Sequence, residues 1–367
     1  MTLSRFDRRE FMALMGVGGM AALGLAPERV AAQALRRVNY MFAFPQLSTI
    51  VANQTSIPRQ YGLFAQEGLE VEHNVSSGGA SVALQLVSSG NQDIGSGGMA
   101  AALQRAAAGE DMGLVFFYNQ IRKNNTVVAV LPDSPIQTLA DLAGKSVGVT
   151  ALGSGPEAVL RHALREIDVN PDSDVEFVTV GIAGQALQAI RAGEVDAYCV
   201  AVGSIAPMEA MGASFRFLPM PEWVNEVIGP GLFTNRRFMD GNRDVCVAIG
   251  RTVARASVFM IENPEAAVRI HWALYPEEVP QGAPFEEALQ RTLAAMRRQT
   301  VLLSFAETDT VRKFGYMDPA AIARQLQIEG VEQLADRTDD FFTNALVDEM
   351  NDFDIDEMVQ LARSFTP

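Results

Sequence analysis

The sequence predicts an α/β protein with two similar lobes, joined by two chain crossings and followed by a helical C-terminal tail. Three observations predict this fold class. β-rich runs alternate with helical segments as far as Asn235, one α/β segment occurs twice, and only helical patterns follow Asp244. Alternating strands and helices favour a mostly parallel sheet in each lobe.

The repeated segment covers residues 75–93 and returns as residues 178–196, with 8 of the 19 positions identical. Each copy is typical of a strand end, a glycine loop, an amphipathic helix and a Gly-x-x-Asp turn into an apolar strand. The alternative is a chance likeness between two ordinary α/β units, because turn glycines and helix formers recur widely. If the copies are equivalent, they mark matching places in two lobes that face a cleft.

The other strands are predicted by short β-rich runs bounded by turn residues. These runs are Val38–Phe42, Leu69–Val75, Gly113–Tyr118, Thr126–Leu131, Ser146–Val149, Val175–Val180, Tyr198–Val202 and Leu232–Asn235.

Helices are predicted where apolar residues recur every three or four positions. These segments are Leu47–Gln66, Met99–Ala108, Ser134–Lys145, Glu157–Ile167, Val245–Glu262, Pro264–Leu274, Phe285–Gln299, Pro319–Gln327 and Asp339–Met350. Pro58 is expected to break or bend the first of them, because proline has no backbone N–H.

The order of these elements predicts an inserted lobe. Residues 35–125 and 231–367 form lobe 1 with the C-terminal helices, and residues 126–230 form lobe 2. Two extended segments connect the lobes, an arrangement that allows opening about a hinge.

The first 34 residues are typical of an export signal. Arg8 and Arg9 precede the Gly- and Ala-rich run Ala13–Ala26, and Ala32-Gln33-Ala34 offers a small-x-small cleavage site. The arginine pair indicates the twin-arginine route and a periplasmic location. The alternative is a membrane anchor, but the run is shorter than the roughly 20 apolar residues that a span needs.

The formal net charge of −15 argues against nucleic acid and anionic membranes as partners. Cys199 and Cys246 lie in apolar surroundings and are expected to be buried free thiols, although a disulfide stays open. His73, His162 and His271 show no ligand spacing, so no metal and no cofactor is expected.

The candidate site consists of loops that leave the carboxyl ends of strands, where open α/β sheets bind ligands. Their small residues let backbone N–H groups reach a ligand, although turn chemistry alone explains any single loop. The candidate ligand-binding residues are Pro45, Gln46, Ser77, Gly78, Gly79, Gly98, Met99, Asn119, Gly153, Ser154, Gly155, Ile182 and Gly203. Because Gly78-Gly79 and Gly153–Gly155 each precede a helix, we expect a small anion between two facing helix starts.

Signatures of catalysis are missing from the sequence. It contains no Gly-x-Ser-x-Gly elbow on a strand–turn–helix, no His-Glu-x-x-His and no Cys-x-x-Cys. The sequence therefore predicts a binding protein and not an enzyme.

Five separated motifs together resemble the periplasmic substrate-binding proteins of ABC importers, in the nitrate/sulfonate/taurine and thiamine-precursor-like group. The motifs lie at residues 61–71, 77–80, 90–95, 139–149 and 192–197. The helical tail with Thr343–Asp348 is also similar to tails in this group. The resemblance covers roughly residues 38–240. It implies a type II periplasmic binding protein fold, closure of two lobes on a small molecule, and docking to a permease in the inner membrane.

The expected function is extracytoplasmic capture of a small organic anion, sulfonate- or carboxylate-like, by a monomer that delivers it to an ABC importer. The resemblance leaves a thiamine-related pyrimidine or another neutral ring open as the ligand. A secreted enzyme on the same fold and a sensor partner also stay open. One fungal branch of the group consumes its own residues through a cysteine-rich motif, which is absent here.

Overall fold

The computed structural model describes residues 34–122, 126–305 and 309–366. Residues 1–33, which carry nearly all of the predicted export signal, lie outside the described residues. Residues 35–367 form one compact unit. Across the described ranges, every helix is too short or too polar to cross a membrane.

The strands belong to two sheets. They are β1 (Arg36–Phe42), β2 (Leu69–Val75), β3 (Ile94–Gly97), β4 (Leu114–Asn119), β5 (Thr126–Val130), β6 (Lys145–Val149), β7 (Val175–Thr179), β8 (Ala197–Ala201), β9 (Arg216–Phe217) and β10 (Gly231–Asn235).

The α-helices alternate with the strands and then follow β10 without interruption by a further strand in the described chain. They are α1 (Ser56–Gln60), α2 (Leu63–Gln66), α3 (Gly79–Ser88), α4 (Ala100–Ala107), α5 (Gly155–Arg165), α6 (Ala183–Ala192), α7 (Ala206–Ala210), α8 (Arg236–Gly241), α9 (Arg243–Glu262), α10 (Pro264–Leu274), α11 (Phe285–Leu303), α12 (Pro319–Ile328), α13 (Val347–Met350) and α14 (Ile355–Arg363).

The two sheets have the same topology. The first sheet has the strand order β2-β1-β3-β10-β4, and the second has the order β7-β6-β8-β5-β9. In each, the fourth strand runs antiparallel to its neighbours: β10 in the first sheet and β5 in the second. The chain enters the second sheet between β4 and β5 and returns between β9 and β10. The predicted α/β fold class with a helical tail is confirmed.

Helices cover both faces of each sheet, which explains why β4, β5 and β8 are nearly continuous apolar runs, whereas the edge strands β2 and β7 are partly exposed. The long helix α9 covers one face of the first sheet together with α10 and α11, and α3, α4 and α12 contribute to the apolar cluster on the other. The second sheet lies between α5 on one face and α6 on the other.

The repeated segments occupy equivalent places. Residues 75–93 run from β2 through α3 to β3, and residues 178–196 run from β7 through α6 to β8. Gly90 and Gly193 follow the two helices with φ of 77° and 72°, a left-handed conformation that glycine adopts without strain. The repeat therefore reflects two copies of one structural unit.

The prediction of a single helix over Leu47–Gln66 is wrong. The structure has a 3-10 helix at Thr49–Val51 followed by the short helices α1 and α2. Gly62 separates α1 from α2 with φ of 63°. Buried Asn53 and Gln54 direct their side chains into tertiary hydrogen bonds in the turn before α1. These local breaks and tertiary contacts outweigh the apolar periodicity.

Two further helix predictions also differ from the structure. Ser134–Lys145 contains only a 3-10 helix at Leu139–Leu142 before β6 begins. Asp339–Met350 is interrupted because Phe342 forms a parallel bridge with Phe116 of β4, which is incompatible with helical backbone. The sequence patterns missed α14 and the short helices α7 and α8.

The C-terminal helices touch the second sheet's half as well as the first. Helix α11 packs on α7 and on the 3-10 helix Val202–Ile205, and Arg298 of α11 forms an ion pair with Glu209 of α7. Helix α12 packs against α5, where Ile328 meets Val159 in a small apolar cluster. The tail therefore bridges the two halves.

Candidate ligand-binding site

The candidate loops of the first sheet form one continuous surface. Ala43, after β1, donates its N–H to Ser96 O at 3.0 Å, and Ser76, after β2, donates to Phe44 O at 3.1 Å. The Gln120 side chain donates to Ser96 Oγ at 2.7 Å, which joins the end of β4 to β3. The structure therefore brings together the first sheet's loops that carry predicted residues. These residues are Pro45, Gln46, Ser77, Gly78, Gly79, Gly98, Met99 and Asn119.

The predicted residues of this surface differ in whether their side chains are exposed to a ligand. Pro45, Gln46, Ser77 and Gly78 are exposed. Met99 is 4% exposed, and its side chain packs in the apolar cluster under α4, so only its backbone remains for a ligand.

The candidate loops of the second sheet are also contiguous. Val180 donates its N–H to Val149 O at 2.9 Å, which joins the loops that contain Ile182 and Gly153. Cys199 of β8 lies 3.2 Å from Pro156 O at the start of α5. Gly203 lies in the 3-10 helix that follows β8 and is buried.

The two sheets' loops meet at Gly203. A Cβ atom placed on this glycine would lie 2.8 Å from Ile50 Cδ1 and 3.7 Å from Gln299 Oε1. Ile50 follows the loop after β1, and Gln299 lies on α11. By contrast, among the described residues no hydrogen bond or ion pair joins the Ser77–Gly79 loop to the Gly153–Gly155 loop. That expected pair of facing helix starts stays a prediction.

A buried polar cluster lies beneath the first sheet's loops. The Oε1 atom of Gln54 accepts hydrogen bonds from Tyr40 Oη at 2.6 Å and from Ser96 Oγ at 3.1 Å. The side chain of Gln120 is 3.4 Å from the same oxygen. Burial raises the pKa of Tyr40 well above its usual value, so the phenol stays a donor. The cluster fixes the ends of β1, β3 and β4 relative to each other.

His271 holds the loop after β1 in place. Its Nε2 atom lies 2.8 Å from Leu47 O, and its Nδ1 atom lies 3.0 Å from Ser56 Oγ. Because a carbonyl oxygen only accepts, Nε2 carries the proton and Nδ1 accepts from the serine hydroxyl. Burial lowers the pKa of His271 from 6.5 to about 4, so the ring is neutral at pH 7. His271 is thus a positioning residue for the loop with Pro45 and Gln46.

The start of α5 is already occupied by a carboxylate. Glu157 is 3% exposed, and its Oε2 atom accepts the Gly153 N–H at 2.7 Å. Its Oε1 atom accepts from Arg161 at 2.7 Å. Pro156, in the first turn, has no N–H to offer. A second negative charge at this helix start would meet Glu157, so an anion is favoured elsewhere.

Helices α3 and α4 of the first sheet differ from α5 in this respect. Neither start has a side-chain cap, and neither first turn contains an acidic residue. Their first backbone N–H groups, which have no partner within a helix, are therefore available to an anion at Gly79 and beside Gly98.

Three buried side-chain oxygens at the candidate site lack a hydrogen-bond partner in the described structure. They are Asn119 Oδ1 at the end of β4, Ser154 Oγ at the start of α5, and Gln299 Oε1 beside Gly203. Buried polar atoms are almost always paired in folded proteins, so such atoms mark places where a ligand or water binds. Asn119 and Ser154 belong to the predicted set, whereas Gln299 was missed.

The cysteines and histidines give no sign of redox or metal chemistry. Cys199 and Cys246 are both buried and free, and burial raises the pKa of the Cys246 thiol to about 12. The described residues contain no group of three His, Cys, Asp or Glu side chains able to hold a metal ion. Cavities of about 630 and 590 Å³ lie away from the candidate loops, one beside α8 and α9 and one beside Gly90 and Asn235.

The chain belongs to the NMT1/THI5-like family, whose model matches residues 57–267. No curated protein matches its sequence. Several solved structures share its fold.

The alkanesulfonate-binding protein SsuA of Xanthomonas axonopodis is 18% identical with a TM-score of 0.58, over 86% of this chain and 97% of that one. The aliphatic sulphonate binding protein SsuA of Escherichia coli is 17% identical with a TM-score of 0.60, over 88% and 92%. The nitrate-binding protein NrtA of Synechocystis is 13% identical with a TM-score of 0.62, over 91% and 99%. At these identities the likeness establishes the fold.

Proposed function

We infer that the protein is a periplasmic solute-binding protein that captures a small organic anion, sulfonate- or carboxylate-like, and delivers it to an ABC importer. The observation that carries this proposal is the junction of switch-point loops from two sheets of the same topology. In each sheet the switch lies between two adjacent parallel strands, β1 and β3 or β6 and β8, where open α/β sheets bind ligands.

The anion preference is supported by the chemistry of these loops. The predicted ligand-binding residues include no charged side chain. An anion would therefore be held by backbone N–H groups and helix starts, which recognise it without a counter-ion. Glu157 already occupies the start of α5, so the uncapped starts of α3 and α4 in the first sheet and of α6 in the second favour the anionic group. Related structures named for sulfonate or nitrate binding agree with this preference.

Closure follows from the same arrangement. A solute that touches loops of both halves binds the closed form more tightly and shifts the population toward it. The closed monomer would dock on a permease in the inner membrane. The predicted twin-arginine export signal supports the periplasmic location.

A thermal-shift screen tests the proposal. The panel is ethanesulfonate, butanesulfonate, butyrate and benzoate, with uracil and cytosine as neutral rings. A probe at about 100 times its dissociation constant should stabilise the protein by about 2.7 kcal/mol. If only the neutral rings raise the melting temperature, the anion assignment is wrong. Chemical conversion of a probe by the protein would instead support the enzyme alternative.

Two glycine variants locate the site. Gly98 and Gly241 both have ordinary φ, and a Cβ atom on either would meet no atom within 4 Å. The first atom of a leucine side chain therefore fits at both positions, and the backbone conformation of neither opposes the change. Gly98→Leu should abolish the thermal shift by filling the space in front of α4, whereas Gly241→Leu, on α8, should preserve it. A full shift in Gly98→Leu would place the site elsewhere.

A further inference from the structure

A buried amide of the C-terminal tail lies where the switch-point loops of the two sheets meet. Gln299 is 7% exposed, and its Oε1 atom has no hydrogen-bond partner in the described chain. We propose that Gln299 contacts the ligand and helps to determine specificity. The proposal rests on the solute-binding function and adds to the site a residue from α11, outside both repeated segments.

The position of Gln299 follows from its neighbours. Gly203 belongs to the loop after β8, at the switch of the second sheet, and Ile50 follows the loop after β1, at the switch of the first. Both Ile50 and Gln299 would contact a Cβ atom on Gly203. A Cβ atom at position 203 would crowd the end of the Ile50 side chain, so the three segments approach each other closely here. Gln299 therefore stands beside a loop from each switch.

The missing partner of Gln299 distinguishes it from a structural glutamine. Gln325 on α12 is buried to the same degree, at 6% exposure, but its Nε2 atom donates to Glu329 Oε1 at 2.8 Å. A buried amide oxygen without a partner is unfavourable in the ligand-free protein, because it has lost its hydrogen bonds to water. A bound solute would supply the partner that the protein does not.

The chemistry of the amide fits an organic anion. Rotation about the last side-chain bond exchanges Oε1 with Nε2, so Gln299 presents a donor to an anionic oxygen or an acceptor to a hydroxyl group. The adjacent Arg298 does not supply free positive charge, because its guanidinium group pairs with Glu209. Recognition at this wall therefore depends on hydrogen bonds and not on charge.

Paired leucine variants test the role of Gln299. Leucine resembles glutamine in volume, so Gln299→Leu removes an unsatisfied amide without opening a cavity. We expect it to leave the melting temperature of the ligand-free protein within about 2 °C and to weaken the best-bound organic anion of the panel at least tenfold. Gln325→Leu should do the reverse: it loses its bond to Glu329, lowers the melting temperature by about 3 °C or more, and keeps affinity within about twofold. Calorimetric titration measures the affinities.

A spectroscopic measurement tests the contact between Gln299 and the ligand directly. The side-chain amide signal that disappears from the ¹⁵N–¹H spectrum in Gln299→Leu should shift when the same anion is added to the unchanged protein. If Gln299→Leu binds the anion as tightly as the unchanged protein and this signal stays in place, the role of Gln299 is rejected while the solute-binding function stands. If no probe raises the melting temperature of the unchanged protein, the proposed function fails and this inference fails with it.

Discussion

The two repeated segments share their strand contacts and differ in their loops. Asp93 Oδ2 accepts the Asn39 N–H at 2.8 Å, and Asp196 Oδ2 accepts the Ser146 N–H at 2.9 Å. The Asp93 N–H also donates to Asn39 O at 3.0 Å, and the Asp196 N–H donates to Ser146 O at 2.9 Å. The Gly-x-x-Asp motif thus anchors β3 to β1 and β8 to β6.

The glycine loops of the same segments have different conformations. In the first copy, Gly79 is the first residue of α3 and has φ of 66°. In the second, Gly181 has φ of 70°, Ile182 is the N-cap and α6 begins at Ala183. The comparison indicates that the repeat preserves the scaffold contacts while each half presents its own surface. The helix starts of the two copies, α3 and α6, are alike in having no side-chain cap and no acidic residue in the first turn. The filled start belongs to α5, outside the repeat.

The largest expected difference between the halves is sensitivity to acid. Burial lowers the pKa of His73 on β2 and of His271 on α10 from 6.5 to about 4. Between about pH 4 and pH 6.5 the unfolded chain binds more protons than the folded protein, so the free energy of unfolding falls as the pH decreases. We expect the two histidines together to remove about 4 kcal/mol of unfolding free energy between pH 7 and pH 5. Glu278, whose pKa burial raises to about 7, offsets part of this loss, because its protonation in the same range stabilises the folded protein. Urea denaturation at both pH values measures this.

His271→Gln provides the control for the pH effect. Glutamine cannot titrate in this range, so the variant should lose the His271 contribution, about 2 kcal/mol between pH 7 and pH 5. An unchanged dependence would assign the acid sensitivity to groups other than His271.

The second prediction compares two glycine-to-leucine substitutions, one in a loop of each sheet, that place a large side chain at the proposed site. Gly155, like Gly98, has ordinary φ and no atom within 4 Å of an added Cβ. Because the anionic group is assigned to an open helix start and Glu157 fills that of α5, Gly98→Leu should weaken anion binding about 100-fold, a change of about 2.7 kcal/mol. Gly155→Leu, beside the filled start of α5, should weaken it about tenfold. Calorimetric titration of butanesulfonate compares them, and a reversed order would move the anionic group to the second sheet.

The third prediction concerns the carboxylate that fills the start of α5. Glu157→Ala leaves the Gly153 N–H and the Arg161 guanidinium group without their buried acceptor. We expect a loss of about 2 kcal/mol in unfolding free energy at pH 7, measured in urea. Glu176→Ala, at an exposed position of β7, should change stability by less than about 0.5 kcal/mol. Equal effects would show that Glu157 does not hold this loop.

The smallest expected effect tests the shared contact itself. Asp93→Ala and Asp196→Ala remove the same hydrogen bond, but the contact of Asp93 is partly buried and that of Asp196 is exposed. We expect losses of about 2 and about 1 kcal/mol, because water replaces the lost acceptor more readily at the exposed site. Chemical denaturation of both variants measures the difference. A larger loss in Asp196→Ala would contradict the assignment of the difference to burial.

The sequence predicted most of the elements because their signals are local. Apolar runs identified the main strands, and apolar periodicity identified α9 and α10 with nearly the observed bounds. The prediction failed over Leu47–Gln66, where the side chains of Asn53 and Gln54 turn inward to Ser257 and Tyr40. Such contacts join residues far apart in the chain and leave no periodic pattern.

The candidate site was predicted only in its loops. Gly and Ser after β-rich runs indicated which segments reach a ligand. Three buried polar residues near the site carry no sequence motif: Gln54 in the turn before α1, His271 on α10 and Gln299 on α11. Their roles depend on contacts, or on a missing contact, with segments remote in the chain. Glu157 was visible in the sequence, but its occupation of the Gly153 N–H was not.

The sequence by itself determined the α/β class, the duplicated unit and the helical tail, because these follow from local apolar patterns, turn glycines and a motif that occurs twice. The tertiary structure decided which polar side chains near the loops have a hydrogen-bond partner in the described chain and which do not. Hydrogen-bond satisfaction depends on distances between segments that are remote in the chain, such as α11 and the loop after β8. The physical difference between a filled helix start at α5 and open ones at α3 and α4 therefore appears only in the folded protein.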